Sequence, residues 1–225
     1  MNNNYFGDKY SKTRDRKLTK YRLRRRFEEI LNCIKKQNLK NIIILDIGAA
    51  DGIVLNLLDK ELNFKKATGI DISVPKVNDN KIKLIEGNAE ELTFKENQFD
   101  VVISSSVIQY IKDKNKMISE CFRVLKENGI VIITAPNPLF NKIAHKLHYY
   151  KKDEEEESLY YKDISLKELT VLLENNNFEV ISKRKFILFP FGRLPFEKSI
   201  ENFLRVVKLD FLMGNQIICG FKKKV

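Results

Sequence analysis

The side chains of this sequence that can do chemistry on a small ligand stand mostly at the ends of apolar runs. Asp46 closes the run Ile42-Ile-Ile-Leu45 and leads into Gly48-Ala49-Ala50-Asp51-Gly52. Asp71 closes a second run, followed by Ile72, and Asn88 and Ala89 follow a third. Ser104 and Ser105 end a fourth run that begins at Phe99, and Gln109 and Tyr110 come one turn later. Ligands of open α/β sheets bind beyond the carboxyl ends of parallel strands, so acceptors and hydroxyls placed there face a bound molecule. His145 and His148, the only two histidines, sit among Tyr149, Tyr150, Tyr160 and Tyr161 around the acidic run Asp153 to Glu157. A histidine beyond the sheet edge has the pKa range to take a proton from a substrate hydroxyl. A surface histidine on a polar loop is the commoner outcome. No third ligand accompanies the pair, and Cys33, Cys121 and Cys219 lack metal-ligand spacing, so no metal site is expected.

The elements that must position these groups are legible from hydrophobic period. Four successive large aliphatics at 42–45 suit a parallel strand covered on both faces. Gly48 and Gly52 bracket a tight turn, and Ile53, Val54, Leu57 and Leu58 then recur at helical spacing. Small residues at 48, 49, 50 and 52 let a ligand lie against the backbone, and the helix start offers free N–H groups. The spacing predicts further strands at 66–73, 81–86, 99–105, 129–135, 178–186 and 215–222. It predicts helices over 19–37 with Thr19 as N-cap, over 53–62, over 114–126 and over 165–175, with another near 196–209. Ser165 and Glu168 have the spacing of a capping box. Asn128-Gly129 is expected to end the 114–126 helix in a left-handed cap. Pro75 and the shortness of 74–80 leave little or no helix between the second and third strands.

At 225 residues with 43% hydrophobic content, one decorated α/β domain is the natural size. No apolar run reaches membrane-spanning length and the first residues lack a signal-peptide core. The cysteines have apolar neighbours and read as buried free thiols of a reducing cytoplasm. The net charge of +11 is uneven: residues 1–40 hold 13 Lys/Arg against four Asp/Glu, a net of +9. Arg22, Arg24, Arg25 and Arg26 crowd one helix whose apolar face is Tyr21, Phe27, Ile30, Leu31 and Ile34. That cluster is either a patch for phosphate, with residues 9–26 then open to nucleic acid, or a solvated basic face, which charge runs usually are. Residues 187–213 are rich in Phe and Pro; they wall an apolar substrate site, touch a membrane surface, pack over the sheet or make a dimer contact.

The turn lacks the Gly-x-Gly-x-x-Gly spacing of dinucleotide binders and the Gly-Lys-Ser/Thr of a P-loop. It resembles the first motif of class I S-adenosylmethionine (SAM) dependent methyltransferases, an acidic residue followed by Gly-x-Gly-x-Gly. Asp46, Gly48 and Gly52 match, and Ala50 replaces the middle glycine, which its methyl tolerates at negative φ. Asp71, 19 residues after Gly52, has the place of the acid that holds the ribose hydroxyls. Glu86-Gly-Asn88-Ala89 resembles the adenine-cradling motif with Asn88 for its acid, and Ser104 and Ser105 have the place that meets the methionine end. Arg123 to Val131 resembles the junction into the fifth strand. The Asn-Pro-Pro-Tyr of base-amino methylation is absent, and Asn137-Pro138 follows the wrong strand to stand in for it.

The resemblance covers residues 40–222. It implies a Rossmann-like, mainly parallel seven-stranded sheet ordered 3-2-1-4-5-7-6, with strand 7 antiparallel and helices on both faces. The cofactor is then SAM, with S-adenosylhomocysteine as product. Asp46, Gly48, Ala49, Ala50, Gly52, Asp71, Ile72, Asn88, Ala89, Ser104 and Ser105 are its expected neighbours. His145, His148 and then Tyr110 are candidates for a base. Residues 1–40 form a basic arm and helix before a methyltransferase domain at 41–225, with lid-like segments at 139–164 and 187–213. The motif style is that of small-molecule enzymes such as ubiquinone/menaquinone and glycan- or lipid-associated methyltransferases, which implies a small acceptor, sugar- or lipid-linked. An RNA or protein methyltransferase using the basic arm, and a SAM-binding module without catalysis, stay open. An α/β redox domain also stays open, because an acid in the place of Asp71 serves NAD as well.

Overall fold

The apolar runs assemble into one sheet. The computed structural model describes residues 17–75, 81–146, 161–187 and 195–224. Its strands are β1 (Ile43–Ile47), β2 (Lys66–Asp71), β3 (Ile82–Glu86), β4 (Phe99–Ser105), β5 (Leu125–Pro136), β6 (Phe178–Phe186) and β7 (Asn215–Lys222). They lie in the order 3-2-1-4-5-7-6. The pairs from β3 to β5 are parallel, and β7 runs antiparallel to both β5 and β6. The helices among the described residues are α1 (Lys17–Lys35), α2 (Ile53–Glu61), α3 (Lys114–Val124), α4 (Pro138–Lys146), α5 (Leu166–Asn175) and α6 (Glu197–Val206). Short 3-10 turns stand at Ile108–Tyr110 and Asp210–Leu212.

Alternation along the strands divides the core into two layers. Ile44, Val101 and Ile132 join Leu23, Phe27, Ile30 and Ile34 of α1 and Leu55 and Leu58 of α2 on one face. Leu45, Val102 and Val131 join Ile118 and Cys121 of α3 and Leu169 and Leu173 of α5 on the other. Burying each such aliphatic side chain contributes about 1.5–3 kcal/mol, which makes the sheet a rigid platform. All three cysteines are buried and free. Ser165 caps α5 with the reciprocal Glu168 contacts that the spacing predicts.

Several expectations are corrected. α1 is already helical at Lys17, so Thr19 lies inside it and is not its N-cap. β1 runs on through Asp46 to Ile47, which places that carboxylate inside the sheet. α3 stops at Val124 and passes directly into β5 through an extended Leu125, so no left-handed cap ends it. The left-handed residue is Asn128, at φ 63, within β5 where the register to β4 shifts. Gly129 is needed for closeness instead: a Cβ there would stand 2.9 Å from both a Leu125 methyl and the Lys126 carbonyl. Among the described residues no helix separates β2 from β3, and part of that connection, 76–80, lies outside them.

Candidate active site

The carboxyl ends of β1, β2, β4 and β5 form an edge that gathers most of the polar residues singled out above. β1 ends in a turn with Gly48 at φ 75, Ala50 at φ 50 and Gly52 at φ 77. Gly48 has no substitute here, because a Cβ would lie 2.1 Å from a Val107 methyl. Ala50 contradicts the expectation of negative φ. A non-glycine residue in the left-handed region costs roughly 1–2 kcal/mol, offset here by Asp71 Oδ2, which accepts the Ala50 N–H at 2.8 Å.

That turn uses its own donors. The N–H groups of Gly48 and Ala49 both donate to the Ile70 carbonyl, and that of Gly52 donates to Ala49 O. The N–H groups of residues 48, 49, 50 and 52 are therefore engaged in holding the turn. Side chains add further groups for a ligand. Asp46 is 1% exposed, and neither of its carboxylate oxygens has a hydrogen-bond partner among the described residues. Burial, and then the charge of Asp71, push its pKa up to about 8. Asp71 also has its pKa raised by burial, with the backbone N–H groups of Ala50, Ile72 and Ser73 opposing that rise. Oδ1 accepts from Ile72 N at 2.7 Å, and the backbone donors together hold the carboxylate at the end of β2.

The same edge carries other buried polar atoms without partners among the described residues: Ser104 Oγ, Gln109 Oε1 and Thr134 Oγ1. Buried polar atoms are nearly always satisfied in native structures, so unsatisfied ones at the strand ends are candidates for contact with a polar ligand. Asp46 pairs with Ile103 and Ser105 with Thr134, which puts Asp46, Ser105 and Thr134 on one face of the sheet, while Ser104, paired with Ile47, turns to the other. Gln109 is fixed by donating from Nε2 to Ser106 O at 2.8 Å. Arg26 reaches over the edge from α1 and donates to Ser106 Oγ at 2.6 Å.

Beside β2, Ile72 exposes half of its side chain. Ala89 is buried, and Asn88 Oδ1 accepts the Glu90 N–H at 2.9 Å, which forms a local turn and leaves its amide NH2 outward. This loop is braced from α3, where Arg123 donates to the carbonyls of Leu92 and Phe94 and pairs with Glu120. Tyr110 is 40% exposed and lies edge-on to Tyr161, with ring centroids 5.3 Å apart. Tyr161 in turn donates its hydroxyl to Asp163 Oδ1 at 3.1 Å. His145 falls on α4, but its side chain and all of His148 lie outside the described residues. No cluster of metal-ligating residues occurs among the described residues.

Some of these residues gave little sequence signal. Thr134 showed only as one hydroxyl in Ile-Val-Ile-Ile-Thr-Ala. Val107 gave none, and nothing distinguished Arg26 from its neighbours. Asp163 stood in a polar stretch whose pairing with Tyr161 is a matter of folding. Arg24 is exposed, as a solvated face would have it, but Arg25 fits neither expectation for the cluster. Arg25 is 3% exposed and makes a two-toothed contact with Glu201 at 2.9 and 3.0 Å, with Glu28, Glu29 and Glu197 also near its guanidinium. It is neither a solvated cation nor a free phosphate ligand.

Comparison with known proteins agrees with this architecture. Residues 45–133 match the family model of a methyltransferase domain. The chain is 26% identical over 107 residues to malonyl-[acyl-carrier protein] O-methyltransferase 1 of Coxiella burnetii, covering 48% of this chain and 38% of that one. It is 30% identical over 105 residues to the chloroplastic 2-methyl-6-phytyl-1,4-hydroquinone methyltransferase 1 of Oryza sativa, covering 43% of this chain and 32% of that one. The chain thus spans about a third of the length of these curated relatives. In fold it is similar to a SAM-dependent methyltransferase of Thermotoga maritima, with a TM-score of 0.67 at 17% identity over 97% of both chains.

Proposed function

We propose, for a chain that belongs to the class I S-adenosylmethionine-dependent methyltransferases, that it moves a methyl group to a small-molecule acceptor carrying a sugar- or lipid-linked nucleophile. The observation that carries this reading is the buried, unpartnered carboxylate of Asp46 beside the Asp71-tied turn. A carboxylate enclosed without a donor suits a ligand that brings an ammonium group, as the methionine end of SAM does. The acceptor capacity that Asp71 keeps beyond its three backbone donors suits a ribose hydroxyl. Ile72 and Ala89 supply apolar surface for an adenine ring, and the Asn88 amide faces its rim. Ser104, Gln109 and Thr134 have unused acceptors for the remaining polar groups. The SAM family's cofactor brings a sulfonium methyl that is already electrophilic, so alignment supplies much of the acceleration.

A hydroxyl acceptor has to lose a proton, and an amine acceptor has less need of a base. Tyr110 with Tyr161 and Asp163 forms a hydroxyl–carboxylate group directly beyond β4 and is the described group suited to that task. His145 and His148 remain candidates for that base. Two relatives, a malonyl-[acyl-carrier protein] O-methyltransferase and a 2-methyl-6-phytyl-1,4-hydroquinone methyltransferase, favour an acceptor with a lipid-like tail. Burial of Arg25 takes away the best-placed cation for an RNA backbone.

Calorimetric titration with S-adenosylhomocysteine, with NADH as control, tests the reading. The wild type is expected to bind S-adenosylhomocysteine and not NADH. Asp71→Ala is expected to lose at least about tenfold in affinity, the worth of one charge-assisted hydrogen bond. Asp71→Asn keeps an oxygen for the Ala50 N–H and separates loss of the turn from loss of the hydroxyl contact. Binding of NADH in preference, or no binding of S-adenosylhomocysteine, refutes the assignment.

A further inference from the structure

α6 is built with its polar face inward. Glu197 and Glu201, 7% and 1% exposed, face α1, where they hold the Arg25 guanidinium, and Glu197 accepts the Tyr21 hydroxyl. Glu201 also accepts the Ile187 N–H at 2.8 Å, which ties the helix to the end of β6. At about 100° per residue, Val206 and Phe203 stand opposite Glu197 and Glu201, beside Ser199 and Asn202, with Val207 and Ile200 at the flank and Phe196 at the start of the helix. That side is solvent-exposed: Phe196 by 82%, Phe203 by 63% and Val206 by 80%. Leu209 and Leu212 extend the exposed apolar surface past the helix end. An amphipathic helix of a globular protein ordinarily turns its apolar stripe to the core. Single exposed apolar residues are unremarkable, but a stripe along one helix face implies something that covers it.

The charges bordering the stripe say what that is. Both carboxylates of α6 are withdrawn to the Arg25 side. The charged residues at the border include the cations Lys198, with its side chain 67% exposed, and Lys208 just after the helix, while Asp210, between Leu209 and Leu212, is paired with Lys185. Across a cleft of about 310 Å³ that Phe196 and Lys198 also line stands Arg24 of α1, itself 67% exposed. Arg24 and Lys198 share Glu28 as a partner, so one carboxylate faces two cations. Residues 1–40 as a whole carry a net charge of +9. An apolar stripe edged by Lys and Arg matches a surface that is apolar beneath and anionic above, which is the interface of a bilayer containing acidic phospholipid. A second copy of this chain is a poor occupant, because a two-fold contact through α6 sets like-charged borders against each other.

We propose that α6 docks the protein on the surface of membranes that contain anionic phospholipid, with Phe196, Phe203 and Val206 entering the headgroup–acyl boundary. The docking stands apart from the methyl-transfer reading, because nothing in it uses the β1–β2 edge.

Co-sedimentation of the full chain with vesicles tests it. One set is phosphatidylcholine alone and the other an equal mixture of phosphatidylcholine and phosphatidylserine. The wild type is expected to sediment with the mixed vesicles, to do so far less with phosphatidylcholine alone, and to release as salt is raised. Phe203→Ser with Val206→Ser is expected to reduce partitioning about tenfold or more. The doubly substituted chain should keep its melting transition and its S-adenosylhomocysteine titration, since both positions are exposed and remote from the edge. Failure of the wild type to bind mixed vesicles overturns the proposal. So does equal binding by the double variant, which would assign the attraction to basic residues elsewhere. A wild-type dimer in light scattering that the same substitutions dissociate, without vesicle binding, would give the face to a second copy and overturn it too.

Discussion

Replacing Asp46 with Asn should remove a pH dependence that the wild type shows in binding S-adenosylhomocysteine. The carboxyl group is buried with no donor to it among the described residues, and burial, then the charge of Asp71, pushes its pKa up to about 8 from an ordinary 3.8. At pH 6 it therefore holds a proton, and a ligand ammonium that pairs with the carboxylate must first displace it. Two pH units below the pKa, that displacement costs about 2.7 kcal/mol, a factor of roughly 100 in affinity. Wild-type affinity should rise close to tenfold per pH unit between pH 6 and 8 and level off above. Calorimetry in two buffers of different ionisation enthalpy should show about one proton released per ligand bound near pH 6.5. Stability should move the opposite way. The folded state holds this proton more tightly than the unfolded chain, so the contribution is fully present below about pH 4. It declines by up to roughly 1.4 kcal/mol per unit as pH rises towards 8. Asp46→Asn should lack both slopes. Wild-type affinity that is flat from pH 6 to 8, with no proton released, would refute the pairing of Asp46 with a ligand cation.

Gly48→Ala places a Cβ against Val107 at φ 75, so it should destabilise the fold by more than about 1 kcal/mol, read from the urea midpoint. Val107→Ala in the same chain should recover part of that loss if the clash is its cause. Glu201→Ala leaves Arg25 buried beside a weakened set of partners and should cost roughly 3–5 kcal/mol. Joint replacement of Arg25 by Met and Glu201 by Leu should cost much less, and a larger loss in that double variant would argue that the pair itself holds α6 in place.

Residues whose function depends on local geometry were readable from spacing. Ser165 and Glu168 form their capping box within one helical turn, and Asn215–Lys222 is a strand over a run of apolar residues bounded by a turn. Asp71 could be placed at a strand end because a run and a spacing locate it. The reading failed where a partner comes from far along the chain. Arg25 looked like one cation among four until α6 brought Glu197 and Glu201 to it, 172 and 176 residues later. Ala50 was expected at negative φ because its immediate neighbours do not forbid it, and the Asp71 carboxylate from the next strand holds it at φ 50 instead.

The sequence by itself determined the sheet and its motifs, because hydrophobic period and turn residues act over a few positions and survive any packing. Only the tertiary structure decided that the turn consumes its own N–H groups, that Asp46 is left without a donor, and that α6 shows its apolar side to solvent. The physical reason is that a helical period fixes which residues share a face and not which face is buried. That choice falls to the ion pairs a distant helix offers, and for α6 the buried charges of Arg25, Glu197 and Glu201 set it.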